Sequence, residues 1–266
     1  MNDNEVKWMT GFREGNSKTS PPIDTIIKRI EGSMFETLLS KTLFILAISL
    51  GFCFLGALGV VKYFRQAYEK GASYVTAKTN EHGQLDLEVS PELIVKIFWP
   101  ALILNIITFI ILMFCSDIMP LNFFLMSLFT FTDGITIGIV LLSIDENIGV
   151  KVTALTAIAT LLTSLIGMYS GIDFSFLGRF LFFALLGLIL VSIIRLFVSI
   201  KGFHRKIIAA IGILIFIGYL LYDFNNLDKA KNIAKLNNWN TALDFSVSIY
   251  LDIINLFLQI LDLLSD

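Results

Sequence analysis

Among the ionisable side chains inside the apolar runs of this chain, Asp133, Arg195, Asp223 and Asp252 are the candidates for chemistry. An ionised group at the centre of a hydrocarbon layer costs about 2.5–3.5 kcal/mol on insertion scales, so each needs a partner or a function. The last run is the most telling. Its polar residues, Asp244, Ser248, Asp252, Asn255, Gln259 and Asp262, follow one another at steps of 4, 4, 3, 4 and 3. Those steps put all six on one face of a helix, with Ile, Leu and Phe over the rest. A polar stripe of that length cannot face lipid; it faces other helices or a water-filled path. Three of the six are acids, which favours a path. The alternative is a buried helix whose polar face holds a bundle together.

Asp223 and Asp252 are related through the turn between the last two runs. If that hairpin turns at Asn237, Asp223 lies 14 residues before the tip and Asp252 lies 15 after it. At a rise of about 1.5 Å per residue, the two carboxyls reach the same depth. Two carboxyls facing each other in a low dielectric cannot both ionise cheaply, and the pair can hold one proton in a shared hydrogen bond. Neutralised at low pH and self-repelling at higher pH, such a pair would work as a proton-controlled latch. The competing reading makes Asp223 a cap at the end of the sixth run, in the headgroup zone. Carboxylate oxygens also suit a hard cation such as calcium, held weakly enough to pass. Asp223 and Asp252 are therefore the candidate sensor and gate, with Ca2+ near them only in transit. Asp133, Asp244, Asn255 and Arg195 are the further pathway candidates.

These residues must be positioned by membrane-spanning elements. The chain has 266 residues, 56% hydrophobic and only 16% charged, with a mean hydropathy of +0.78. Soluble domains run near a quarter charged and lack long apolar runs. Here seven runs are each long enough to cross a hydrocarbon core roughly 30 Å thick. They span about 42–61, 95–115, 120–143, 152–171, 178–200, 206–224 and 242–264. A lipid-facing backbone must satisfy its own hydrogen bonds and the runs lack barrel alternation, so the expected fold is all-α, a seven-helix membrane protein. Residues 1–40 form a polar tail, with Pro21-Pro22 and a short amphipathic stretch from Ile23 to Phe35, and 41–266 the transmembrane domain. The tail lacks a cleavable signal pattern, so the first run is expected to act as the insertion signal. Residues 62–92 read as a long charged loop ending at a helix start, Ser90-Pro91, and Pro120 restarts a helix after Ser116-Asp117.

Other chemistry is poorly supported. Cys53 and Cys115 lie inside apolar runs as small core residues, and His82 and His204 fall in polar connections without ligand spacing. No metal site, cofactor or Ser/His or Cys/His nucleophile is expected. A formal charge of −2 offers no basic field for nucleic acid. Trp99, Trp239 and Tyr63 sit near predicted interfaces as anchors. With the N-terminus placed inside, Lys and Arg divide ten against eight across the membrane, too even to orient the chain. Gly51, Gly56 and Gly59 of the first run read as small-residue helix packing.

Leu221-Tyr222-Asp223-Phe224-Asn225, followed by Ser248-Ile249-Tyr250-Leu251-Asp252-Ile253-Ile254-Asn255-Leu256-Phe257, closely resembles the C-terminal signature of the transmembrane Bax inhibitor motif family. Phe131-Thr132-Asp133-Gly134-Ile135-Thr136 is similar to its third-helix motif. The resemblance implies a seven-helix bundle around a central seventh helix. It also implies that Asp223 and Asp252 are a pH sensor controlling a slow calcium leak. Membership would place the chain in the cytoplasmic membrane if bacterial, or in endoplasmic reticulum or Golgi membranes, where relatives restrain cell death, if eukaryotic. Bacterial relatives carry an acid within the second helix and an arginine at its end that latch the pair. The matching places here hold Asn105 and Ser116, which leaves Arg195 as the candidate replacement. Asp133 stands where relatives have a small residue and would add a third acid to the path.

Three function classes follow. The leading one is a pH-gated calcium leak with protons, calcium ions and the bilayer as its partners. The second is a regulator that binds a membrane protease or a cell-death or stress partner through helix contacts without transporting anything. The third, an intramembrane aspartyl protease, would need a Gly-x-Gly-Asp setting for its second aspartate. Here Ile249-Tyr250-Leu251 precedes Asp252, so no enzymatic activity is expected.

Overall fold

A computed structural model describes residues 35–79, 85–114, 118–142, 144, 146–198 and 202–265. Residues 1–34, which hold Pro21-Pro22 and most of the amphipathic stretch, lie outside the described residues, as do His82, Cys115, Ser116 and Asp117. From Thr37 onward the chain forms one compact unit. Its seven α-helices are α1 (Leu38–Glu69), α2 (Pro91–Phe114), α3 (Met119–Leu141), α4 (Glu146–Tyr169), α5 (Leu177–Phe197), α6 (Phe203–Ala230) and α7 (Trp239–Leu264). Each is long and apolar enough to cross a bilayer.

The helix starts follow local chemistry. The Thr37 hydroxyl accepts from the Ser40 N–H at 3.1 Å while the Ser40 hydroxyl takes the Thr37 N–H at 3.3 Å, a reciprocal cap for α1. Asn238 caps α7 by accepting from Thr241 N–H at 2.9 Å. Pro91 and Pro120 sit in the first turns of α2 and α3, where a missing N–H costs nothing.

The stretch 62–92 departs from the expected loop. Helix α1 runs two turns further than its apolar run, and the chain then folds into an antiparallel hairpin, β1 (Val75–Thr79) with β2 (Leu85–Val89), in register Val75 to Val89 and Ala77 to Leu87. Val75 and Val89 are buried with Val60, Phe64, Ala67, Ile139 and Leu142. The strand alternation of Val-Thr-Ala-Lys-Thr and Leu-Asp-Leu-Glu-Val was present in the sequence but hidden by its charge.

Helix α7 packs against α1, α3, α4 and α6, so it occupies the middle of the bundle. Helix α2 covers α3, and α5 lies on α6. Tyr250, Ile249 and Leu256 of α7 are fully buried, whereas Phe183 on α5 is 70% exposed, as a lipid-facing side chain should be. Helices α1 and α3 come closest. A Cβ on Gly134 would fall 2.0 Å from the Cys53 carbonyl oxygen, and one on Gly56 would fall 2.3 Å from that of Phe131. Gly56 thus packs as expected; Gly51 and Gly59 face open space.

Candidate functional site

Asp223 comes from α6 and Asp252 from α7, and their carboxyls lie close enough to interact directly. A carboxylate only accepts, so a carboxyl–carboxyl hydrogen bond requires that one partner carry a proton. Asp252 is 7% exposed, and its Oδ2 has no hydrogen-bond partner. Asp223 is half-buried, and Tyr219, one turn earlier on α6, lies near both carboxyls. Around the pair the walls are apolar: Leu220, Phe224, Ile249 and Leu256 are all buried.

Asp223 is not a helix cap, because α6 continues two turns past it to Ala230. The expected end at 224 was set by where the apolar run stops; polar Asn225, Asn226 and Asp228 extend the helix instead. Asn225, the last residue of the sixth-helix motif, is a tether. Its Oδ1 accepts from Phe174 N–H at 3.1 Å, and its Nδ2 donates to the Gly167 and Ile172 carbonyls at 3.1 and 3.0 Å. Those bonds fix the connection between α4 and α5 to α6 and so fix the rotation of α6 that points Asp223 at α7. Gly167 permits the approach, since a Cβ there would lie 2.9 Å from the Leu221 carbonyl oxygen.

Asp133 does not join the pair. Its Oδ2 accepts from the Tyr250 hydroxyl at 2.7 Å, and Cys53 from α1 lies against Tyr250. Residues 250 and 252 are about 200° apart around a helix, so α7 presents Tyr250 to α1 and α3 and Asp252 to α6. The central helix therefore carries two separate buried polar clusters. Tyr250 escaped notice in the sequence because an aromatic residue in an apolar run reads as core; its place in the signature was the only signal.

Arg195 departs from the expected role as a replacement latch. It grips Asp262, with Nη1 to Oδ2 at 2.9 Å and Nη2 to Oδ1 at 3.3 Å. Asp262 lies ten residues beyond Asp252 on α7, or about 15 Å along the axis. Arg205 of α6 completes the cluster, donating from Nε to Asp262 Oδ1 at 2.7 Å and from Nη2 to Ser265 Oγ at 2.6 Å. Asn105 ties α2 to α3, donating to the Phe129 carbonyl at 3.0 Å and to Thr132 Oγ1 at 3.3 Å.

The stripe on α7 divides by depth. Asp244 and Ser248 are exposed, Asp252 is buried, and Asn255, Gln259 and Asp262 are half-buried. Asn255 and Gln259 line a cavity of about 300 Å³ between α5, α6 and α7, bounded by Leu185, Leu188 and Phe216. Gln259 and Asp262 line a second, of about 470 Å³, at the C-terminal end of α7. Asn255 Nδ2 is committed to the Leu251 carbonyl at 2.8 Å. Among the described residues, no three His, Cys, Asp or Glu side chains converge as a metal site.

Comparison with known proteins places this arrangement. The family described as inhibitor of apoptosis-promoting Bax1 matches residues 36–266. The protein LIFEGUARD 1 of Arabidopsis thaliana is 31% identical over 150 residues, covering 55% of this chain and 61% of its own length. A Golgi anti-apoptotic protein of vaccinia virus (strain Lister) is 37% identical over 145 residues, 54% of this chain and 58% of its own. An uncharacterized protein of Campylobacter jejuni is 31% identical over 150 residues, 54% of this chain and 62% of its own. The chain thus spans about three-fifths of the length of the curated relatives it matches. With the family match running from the start of α1 to the C-terminus over seven helices able to cross a bilayer, the chain belongs to the Bax inhibitor family of multi-pass membrane proteins.

Proposed function

We propose that the chain is a pH-sensitive leak for cations, with calcium its natural cargo, gated by the Asp223–Asp252 pair. The observation that carries this reading is a buried carboxyl pair on the same helix stripe as two cavities, the first lined from Asn255, one turn beyond Asp252, and the second from Asp262 at the helix end. A shared proton ties α6 to α7 and closes the path. Its loss leaves two carboxylates that repel in a low dielectric, and the helices part. Flux therefore rises as pH rises through the titration of the pair. No bond of the cargo is made or broken, so the protein is not an enzyme in this reading. Its membrane is the cytoplasmic membrane of a bacterium, or the endoplasmic reticulum or Golgi of a eukaryote.

The test is calcium flux from liposomes holding the purified full chain, measured across pH. Asp252→Asn and Asp223→Asn keep the shape of the pair and should flatten the pH response. An unchanged response in both would sink the gate. A second reading rests on the names of the family and of the vaccinia relative, both of which concern apoptosis. In it the chain is a non-transporting regulator that binds a membrane protease or a cell-death partner. It predicts no flux at any pH and co-purification of a membrane protein.

A further inference from the structure

We propose that the cavity at the C-terminal end of α7 binds the phosphate-bearing headgroup of an anionic phospholipid. Its depth comes first. Arg195 lies two residues before the end of α5, Arg205 two residues after the start of α6, and Asp262 two residues before the end of α7. Three spanning helices begin or end here, which is the level of the headgroups.

Charge comes second. Among the described residues lining the cavity of about 470 Å³, two guanidinium groups face one carboxylate, an excess of one positive charge. The N-terminus of α6 adds partial positive charge, which the C-termini of α5 and α7 at the same level offset, so the arginines carry the attraction for an anion. Each arginine has five N–H donors. Among the described residues the pair makes four hydrogen bonds, three to Asp262 and one to Ser265, out of ten donors. All three charged side chains stay reachable, at 28%, 25% and 20% exposure.

The walls decide the source of the phosphate. Val140, Ile144, Leu258 and Leu261 line the same cavity. A free phosphate would waste that surface, whereas the glycerol backbone and first methylenes of a lipid would cover it. The geometry also separates this role from a plain ion pair. Asp262 completes the ion pair but competes with an anion for the same donors, so its neutralisation should have the opposite sign to loss of an arginine. The proposal is independent of the leak reading.

Native mass spectrometry of the full chain, titrated in detergent with phosphatidylglycerol or phosphatidylcholine, tests it. Phosphatidylglycerol should bind about tenfold more tightly, and Arg195→Gln or Arg205→Gln should erase that preference. Arg205→Lys should keep most of it, which separates lost charge from lost folding. Asp262→Asn should strengthen phosphatidylglycerol binding, and glycerol 3-phosphate should not compete at comparable concentration. Equal binding of the two lipids would overturn the proposal, as would arginine variants that keep the preference. So would an Asp262→Asn variant that loses binding as the arginine variants do, because the cluster would then only close the bundle. Competition by glycerol 3-phosphate as strong as by the lipid would replace the lipid with a soluble phosphate and overturn it too.

Discussion

A buried carboxyl survives only with a partner, and α7 places one such partner on each of its sides. Asp252 has Asp223, and Asp133 has Tyr250, whose hydroxyl donates at 2.7 Å. Tyr250→Phe keeps the ring against Phe129 but strips Asp133 of its donor. Leaving a buried acceptor unpaired costs about 1–3 kcal/mol, so thermal unfolding in detergent should shift down by several degrees. Because this cluster is separate from the Asp223–Asp252 pair, the pH response of flux should survive in the same variant. A flattened response in Tyr250→Phe would show the two clusters to be one. The pair itself was anticipated in the sequence by spacings of 14 and 15 residues from Asn237, although α6 ends at Ala230 and α7 starts at Trp239, so the chain between them contributes no α-helical rise. The partners of Asp133 and Arg195 were not. Spacing tells which face of its own helix a residue occupies, never which neighbour covers that face.

Glycines set how closely the helices meet, and their sequence context does not say which of them do so. Gly134 meets the Cys53 carbonyl, while Gly51, in a run that reads the same way, meets nothing within 4 Å. Gly134→Ala must therefore push α1 from α3 or shift both, which costs about 1–3 kcal/mol or more. Gly51→Ala should be neutral or stabilising by up to about 1 kcal/mol, the ordinary gain of alanine over glycine within a helix. Unfolding of the two variants side by side checks this, and equal effects would contradict the close α1–α3 contact. The number and order of helices were legible because a span needs about 20 apolar residues whatever surrounds it. Helix ends were less so, since α1 and α6 continue on polar residues once their spans are complete, and the β1–β2 hairpin is held by burial against α1 and α3 rather than by hydropathy.

At the scale of the molecule, interior ties and surface ties should behave differently, and the contrast isolates the source of any pH response. Asn225 holds the α4–α5 connection by three hydrogen bonds and is 7% exposed. At roughly 1 kcal/mol each, Asn225→Ala should cost about 2–4 kcal/mol. The Asp173–Lys229 ion pair ties the same connection to α6 from outside, in the open. The Lys229 ammonium, helped by the Ser175 N–H and hydroxyl, holds the Asp173 carboxyl down to about 2 from an ordinary 3.8. A carboxyl lowered in the folded state adds stability that is fully present above 3.8 and fades as pH falls towards 2. Between pH 5 and 8 the ion pair therefore stays intact and cannot drive gating. Lys229→Met should lower thermal stability slightly and by the same amount throughout that range, and leave the pH profile of calcium flux unchanged. His204→Gln, which removes an exposed imidazole at the start of α6, is a second control. Only the Asp223 and Asp252 variants should then move the profile. A shift in Lys229→Met instead would locate the sensor in the exposed connection and take it away from the buried carboxyls.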